Sequence, residues 1–333
     1  MNIALFKRAA AFAGICIAAG LAPAQENCTV RPARSGKPLK VLMIGNSFTA
    51  SVMRETPKLA KAAGFPLDLV QCGIGGCPLE KHWANVEKSA DRDFKPYDVS
   101  ASLASGDAKK FPRKANVTDM LAADRWDIVT IQQASGGSAF YETYQPYADN
   151  LIAKIRELAP QAEIVIQQTW SYSPYDGRLE KWKMTPKEMY RALKKAYARL
   201  AAKHGLRTIP TADAVQLFRD RLPVDYGKLL TRADIAKIQK PSLVDFHGDV
   251  VGASEWKQGR KGRQKDWEET KLRCDFCHFN SRGNYLQACV WLGFLSGADP
   301  STFAYRPAGL PESDAKLMRE CARDALAAAA AKR

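Results

Sequence analysis

The sequence predicts an α/β protein, a three-layer α/β/α arrangement built on a five-stranded parallel sheet. Five short apolar runs recur along the chain: Leu39 to Ile44, Leu67 to Gln71, Asp127 to Gln132, Glu163 to Gln168 and Leu206 to Pro210. Amphipathic stretches separate them. Continuous apolar runs alternating with helical patterns mark strands that are buried on both faces and joined by crossover helices.

Each element follows in order. The first run ends in Gly45-Asn46-Ser47, and the spacing of Val52, Leu59 and Ala63 predicts a helix closed by Gly64. The second run leads into the glycine-rich turn Gly73-Ile74-Gly75-Gly76-Cys77. After the third, Pro146 opens a helix with Leu151, Ile152, Ile155 and Leu158 on one face, ended by Pro160. After the fourth, Thr185-Pro186-Lys187-Glu188 forms a capping box with proline at the first helical position; Met189, Leu193, Tyr197 and Leu200 follow at helical spacing, and Gly205 stops the helix. Beyond the fifth run an apolar helix is expected from Tyr285 to Leu295. A terminal helix is expected from Ser313 to Arg333, with Leu317, Cys321 and Ala325 docking on the body. Two stretches break the alternation, 78–114 and 216–271, and are expected to be long loop insertions that wall a site beyond the carboxyl ends of the strands. With no internal repeat and no low-complexity linker, residues 25–333 are read as one domain.

Residues 1–24 read as a secretory signal peptide. Lys7 and Arg8 precede the apolar run Ala9 to Leu21, and Ala22-Pro23-Ala24 has the small-x-small form of a cleavage site. That run is shorter than the roughly 20 residues a spanning helix needs, and no later segment is apolar enough to span, so the expectation is export to the periplasm or beyond after cleavage near Ala24. Hydrophobic residues make up 46% and charged residues 26%, the balance of a folded soluble chain. The formal charge is +15, but the lysines and arginines are scattered without interleaved aromatics, and export removes intracellular nucleic acid as a partner. A basic surface attracts anionic partners but is as readily a solvated one, and a small molecule or glycan is the expected partner.

Chemistry enters at Ser47. A serine between a strand and a helix exposes its hydroxyl above the sheet beside free N–H groups of the helix start, although serine is also a common helix cap. A nucleophilic serine needs a base, and the chain holds four histidines, His82, His204, His247 and His278. His204 sits at a helix end, His82 lies in a loop region, and His247 has Asp245 nearby and is a reserve pocket residue. His278 lies three residues after Asp275, close enough for the carboxylate to fold back and fix the imidazole tautomer.

Taken together, Gly45-Asn46-Ser47-Phe48, the Gly73 to Cys77 turn and Asp275-Phe276-Cys277-His278 resemble, in order, the conserved blocks of the SGNH or GDSL hydrolase superfamily. The resemblance covers about Lys40 to Leu295. It implies a flavodoxin-like sheet and a serine esterase without metal or cofactor, with Ser47 as nucleophile, His278 as base and Asp275 as its orienter. It also implies an oxyanion hole from the N–H groups of Ser47 and Gly76. The third block, normally Gly-x-Asn, is replaced by Ile131-Gln132-Gln133, and Gln132, with Gln133 as the alternative, takes the place of the side-chain oxyanion donor, as in carbohydrate-esterase branches. The implied substrate is an O-acetyl ester on a carbohydrate, with Trp170, Tyr172 and Trp256 as stacking surface and His247 in the pocket. A lipase-like or aryl esterase and a glycan-binding protein without turnover are the alternatives. Cys274-Asp275-Phe276-Cys277-His278 is also a C-x-x-C-H string, the attachment pattern of c-type haem. In an oxidising compartment the cysteines are expected to form disulfides, either between the two motifs (Cys72 or Cys77 with Cys274 or Cys277) or within each.

Overall fold

All five apolar runs form strands of one sheet. The structure, a computed structural model, describes residues 36–107, 110–222, 229–260 and 267–331; the expected signal peptide lies outside them. In chain order the first half comprises β1 (Leu39–Gly45), the single turn α1 (Ser47–Ala50), α2 (Val52–Ala62), β2 (Leu67–Gly73), α3 (Leu79–Glu87), β3 (Tyr97–Ser102), β4 (Lys114–Ala115), α4 (Val117–Ala122), β5 (Ile128–Ile131) and α5 (Tyr147–Leu158). The second half continues with β6 (Glu163–Gln167), α6 (Gly177–Trp182), α7 (Pro186–His204), β7 (Arg207–Ile209), α8 (Thr211–Arg221), α9 (Arg232–Ala236), the hairpin β8 (Val251–Arg260) and β9 (Trp267–Phe279), α10 (Ser281–Ser296) and α11 (Glu312–Ala330).

The sheet order is β4-β3-β2-β1-β5-β6-β7. The stretch β2-β1-β5-β6-β7 is parallel, as expected, and every residue of β2 and β5 is buried because helices cover both faces. Among the described residues the sheet has seven strands rather than five. β3 and β4 extend it with antiparallel pairings beyond β2. They arise from the stretch expected to be loop, and the reason is chemical: in β3 Tyr97, Val99 and Ala101 alternate with Asp98, Ser100 and Ser102, a half-solvated pattern with no continuous apolar run to betray it. The second expected insertion is also structured. It supplies the end of α8, all of α9 and a separate two-stranded sheet, β8-β9, whose charged residues mask the strand pattern.

The helices bear out their sequence signals. Thr185 and Glu188 form the capping box of α7. The terminal helix α11 buries Ala315, Met318, Cys321 and Ala325 against α10 and α8, while Leu317 is only half-buried. Helix α10 is apolar on all sides because it is enclosed, packing against α2, α8 and α11. Its first turn abuts the root of the hairpin, and a Cβ on Gly283 would stand 2.3 Å from Val250 O and 2.4 Å from a ring carbon of Phe279. Gly283→Ala is therefore expected to lower unfolding stability by about 1–3 kcal/mol. A denaturant midpoint unchanged from the parent would show that the contact relaxes freely.

Candidate active site

The site forms at the carboxyl ends of the parallel strands, where crossover topology leaves loops and helix starts facing a common crevice. Ser47 follows β1 and is the first residue of α1, so its N–H has no acceptor within the helix. Asn46, not Ser47, caps that turn, accepting from Phe48 N at 3.0 Å. The Asn46 amide also donates to Cys77 O at 3.1 Å, which joins the serine turn to the glycine turn after β2. In that turn Gly76 is exposed and adopts a left-handed conformation (φ 63°) that any side chain would strain.

His278 and Asp275 arrive from the hairpin. Val251 of β8 pairs with Phe279 of β9 and Ala253 with Asp275, so Gly252 alone stands opposite Phe276, Cys277 and His278. This bulge turns the backbone back on itself, a device that re-aims side chains next to sites. Asp275 Oδ1 accepts from the N–H groups of Cys277 and His278, both at 2.9 Å, and Asp275 Oδ2 lies 2.6 Å from His278 Nδ1. On its other side His278 Nε2 is 2.8 Å from Ser47 Oγ. Both ring nitrogens are engaged, Nδ1 with Asp275 and Nε2 with Ser47, which is the arrangement of a proton relay.

Electrostatics follow from these contacts. Partial burial works against ionisation of Asp275, but the hydrogen bonds from the His278 ring and from the His278 and Cys277 N–H groups outweigh it and hold the carboxyl well below the usual range. The hydrogen bond to Asp275, with the Cys277 contact second, raises the His278 pKa against the opposing effect of desolvation. The other histidines are committed elsewhere. His82 is buried against Tyr97 OH at 2.9 Å, and burial lowers its pKa to about 4. His204 bonds Asp149 at 2.6 Å.

A family model described as "Domain of unknown function (DUF4886)" matches residues 40–222. The chain belongs to the DUF4886 family. The matched segment holds Ser47, Gly76 and Gln132 and stops short of the hairpin that carries Asp275 and His278. A crystal structure of a DUF4886 family protein from Bacteroides uniformis is similar at 23% identity with a TM-score of 0.67, covering 87% of this chain and 95% of that one, so the fold is shared beyond the matched segment. Solved structures of SGNH/GDSL hydrolases and esterases are also similar. An acetylxylan esterase from Geobacillus stearothermophilus has 12% identity and a TM-score of 0.43 over 80% of this chain and 96% of that chain. A GDSL-like lipase from Bacteroides thetaiotaomicron has 15% identity and a TM-score of 0.28 over 57% and 73%. No curated protein matches the sequence.

Several expected site residues of this DUF4886 chain sit differently from expectation. Gln132 is 2% exposed and donates to Asn46 Oδ1 at 2.7 Å, so its amide orders the serine turn instead of pointing at a substrate oxygen. Trp170 and Tyr172, expected to be a sugar-stacking surface, are fully buried. Trp170 lies between Phe48 and Phe279 (ring centroids at 4.1 and 3.5 Å) and donates to Cys277 O at 2.9 Å, bracing the bulge from beneath. The Tyr172 hydroxyl donates to Ser135, and Arg178 covers its ring. His247 faces Tyr175 OH at 3.4 Å and Asp245. Of the expected aromatics only Trp256 keeps some exposure, out on the hairpin. The expected disulfides are not formed: Cys72, Cys77, Cys274, Cys277, Cys289 and Cys321 are all free. Cys72 is sealed in the sheet core, and the Cys277 thiol is turned toward His278, so neither faces a partner thiol. Sequence reading missed the bracing role of Trp170 and the clamp of Arg219 on Asp249, a buried pair at 2.8 Å that also holds Ser171 and Tyr172.

Proposed function

We propose that this chain is a serine esterase of the SGNH/GDSL type, with Ser47 as nucleophile, His278 as general base and Asp275 as its orienter. The observation that carries the reading is the unbroken relay from Ser47 Oγ through both nitrogens of His278 to Asp275. His278 Nε2 takes the proton from Ser47 Oγ as that oxygen attacks the ester carbonyl, and the N–H groups of Ser47 and Gly76 hold the oxyanion. The imidazolium then gives its proton to the departing alkoxide. Water, activated by the same nitrogen, releases the acyl group.

The proposed substrate is an O-acetyl ester on a carbohydrate, supported by the glutamine-type third block and by a leader that would place the enzyme outside the cytoplasm. Fluorophosphonate labelling of the parent and of Ser47→Ala tests the nucleophile: absence of a Ser47-dependent adduct would leave a glycan-binding protein without turnover. Rates on acetylated oligosaccharides against longer acyl and aryl esters test the substrate, and a preference for long acyl chains would overturn the carbohydrate assignment. Gln132→Ala removes a donor from Asn46 without touching the serine, so kcat is expected to fall about 10- to 100-fold, the scale of a small misplacement of reacting groups. A loss of about 10³-fold, the scale of a missing oxyanion donor, would mean that Gln132 contacts the oxyanion after all.

A further inference from the structure

The relay accounts for Asp275 and His278 but leaves the thiol between them unexplained. The bulge places Cys277 Sγ 3.4 Å from His278 Nδ1, the nitrogen that bonds Asp275 Oδ2 at 2.6 Å. A carboxylate oxygen, a thiol sulfur and an imidazole nitrogen thus lie within 4.8 Å of one another on one short segment, all half-buried and reachable from solvent. Bonds of about 2.0 to 2.3 Å in a tetrahedral site put neighbouring donors roughly 3.3 to 3.8 Å apart, so the cluster needs little adjustment to close on one ion. Three protein donors leave the fourth position to water. Thiolate with imidazole favours zinc and its thiophilic relatives over magnesium or calcium.

We propose that Asp275, Cys277 and His278 form an inhibitory site for a single zinc ion. The inhibition rests on the esterase reading; the binding does not. Zinc takes the Nδ1 lone pair: the Cys277 thiol proton passes to solvent, the ring proton of His278 moves by way of water from Nδ1 to Nε2, and Asp275 becomes a ligand. The hydrogen bond that orients His278 and sustains its basicity is then gone, and Nε2 can no longer take the serine proton efficiently. The same chain segment serves either as catalytic relay or as metal site, never as both.

Cobalt(II) and zinc titrations of the full chain decide it. Cobalt is expected to bind one equivalent with a thiolate charge-transfer band, which zinc then displaces. Zinc is expected to suppress ester hydrolysis at least tenfold relative to the zinc-free rate, with recovery on adding a chelator. Cys277→Ser keeps the backbone N–H that Asp275 accepts and is expected to bind zinc about 10- to 100-fold more weakly, losing its sensitivity when each variant is normalised to its own zinc-free rate. Cys274→Ser, which alters a thiol outside the cluster, should behave as the parent. An absent thiolate band, or unchanged zinc affinity in both Cys277→Ser and Cys277→Ala, overturns the proposal. A thiolate–cobalt band in a protein that hydrolyses no ester would uphold the metal site and sink the esterase reading instead.

Discussion

Replacing Ser47 by alanine is expected to cut ester hydrolysis by about 10⁴- to 10⁶-fold while leaving the fold intact. The size follows from the relay: with no nucleophile, His278 has no proton to take, and residual rate comes only from binding and the oxyanion donors. The stability expectation follows from the turn. Asn46 supplies the cap of α1, and the Ser47 hydroxyl bonds His278 alone among the described residues, so the truncation leaves no buried group without a partner. Its cost in stability should stay within about 0.5 kcal/mol. Steady-state rates beside a thermal melt check both halves, and a rate within tenfold of the parent, with the melt unchanged, would remove Ser47 from the mechanism.

Asp275→Asn is expected to lower kcat by about 10⁴-fold and to move the pH profile in a defined direction. The carboxylate raises the His278 pKa, so in the parent the base is protonated and idle at low pH, and activity rises as pH climbs above the ordinary histidine range. Neutralising residue 275 removes that support, the imidazole loses its proton at lower pH, and the rising limb shifts to the acid side. The ceiling nevertheless falls, because an amide can donate to Nδ1 and so favour the wrong tautomer. A limb that stays in place, or moves to the alkaline side, would show that Asp275 does not set the charge of His278.

Much of this architecture was legible before any coordinate. The five parallel strands announced themselves because burial on both faces demands unbroken apolar runs, and α7 did so because its cap is a local hydrogen-bond exchange between Thr185 and Glu188. The Asp275 to His278 spacing was readable for the same reason: a contact three residues apart needs no knowledge of the rest of the chain. The edge strands β3 and β4 and the charged hairpin were not readable, since a strand that borders solvent need not be apolar.

Sequence alone therefore determined the five parallel strands, the strand-end position of Ser47 and its pairing in principle with Asp275 and His278. Tertiary structure alone decided what stands around them. It sealed Trp170 and Tyr172 inside, turned Gln132 onto Asn46, set His247 against Tyr175 and brought the Cys277 thiol to Nδ1 of His278. Periodicity and short spacings record which residues are buried and which neighbours can touch. Where a side chain points depends on elements far apart in the chain, here the bulge in β9 and the stack beneath it, and no local pattern encodes that meeting.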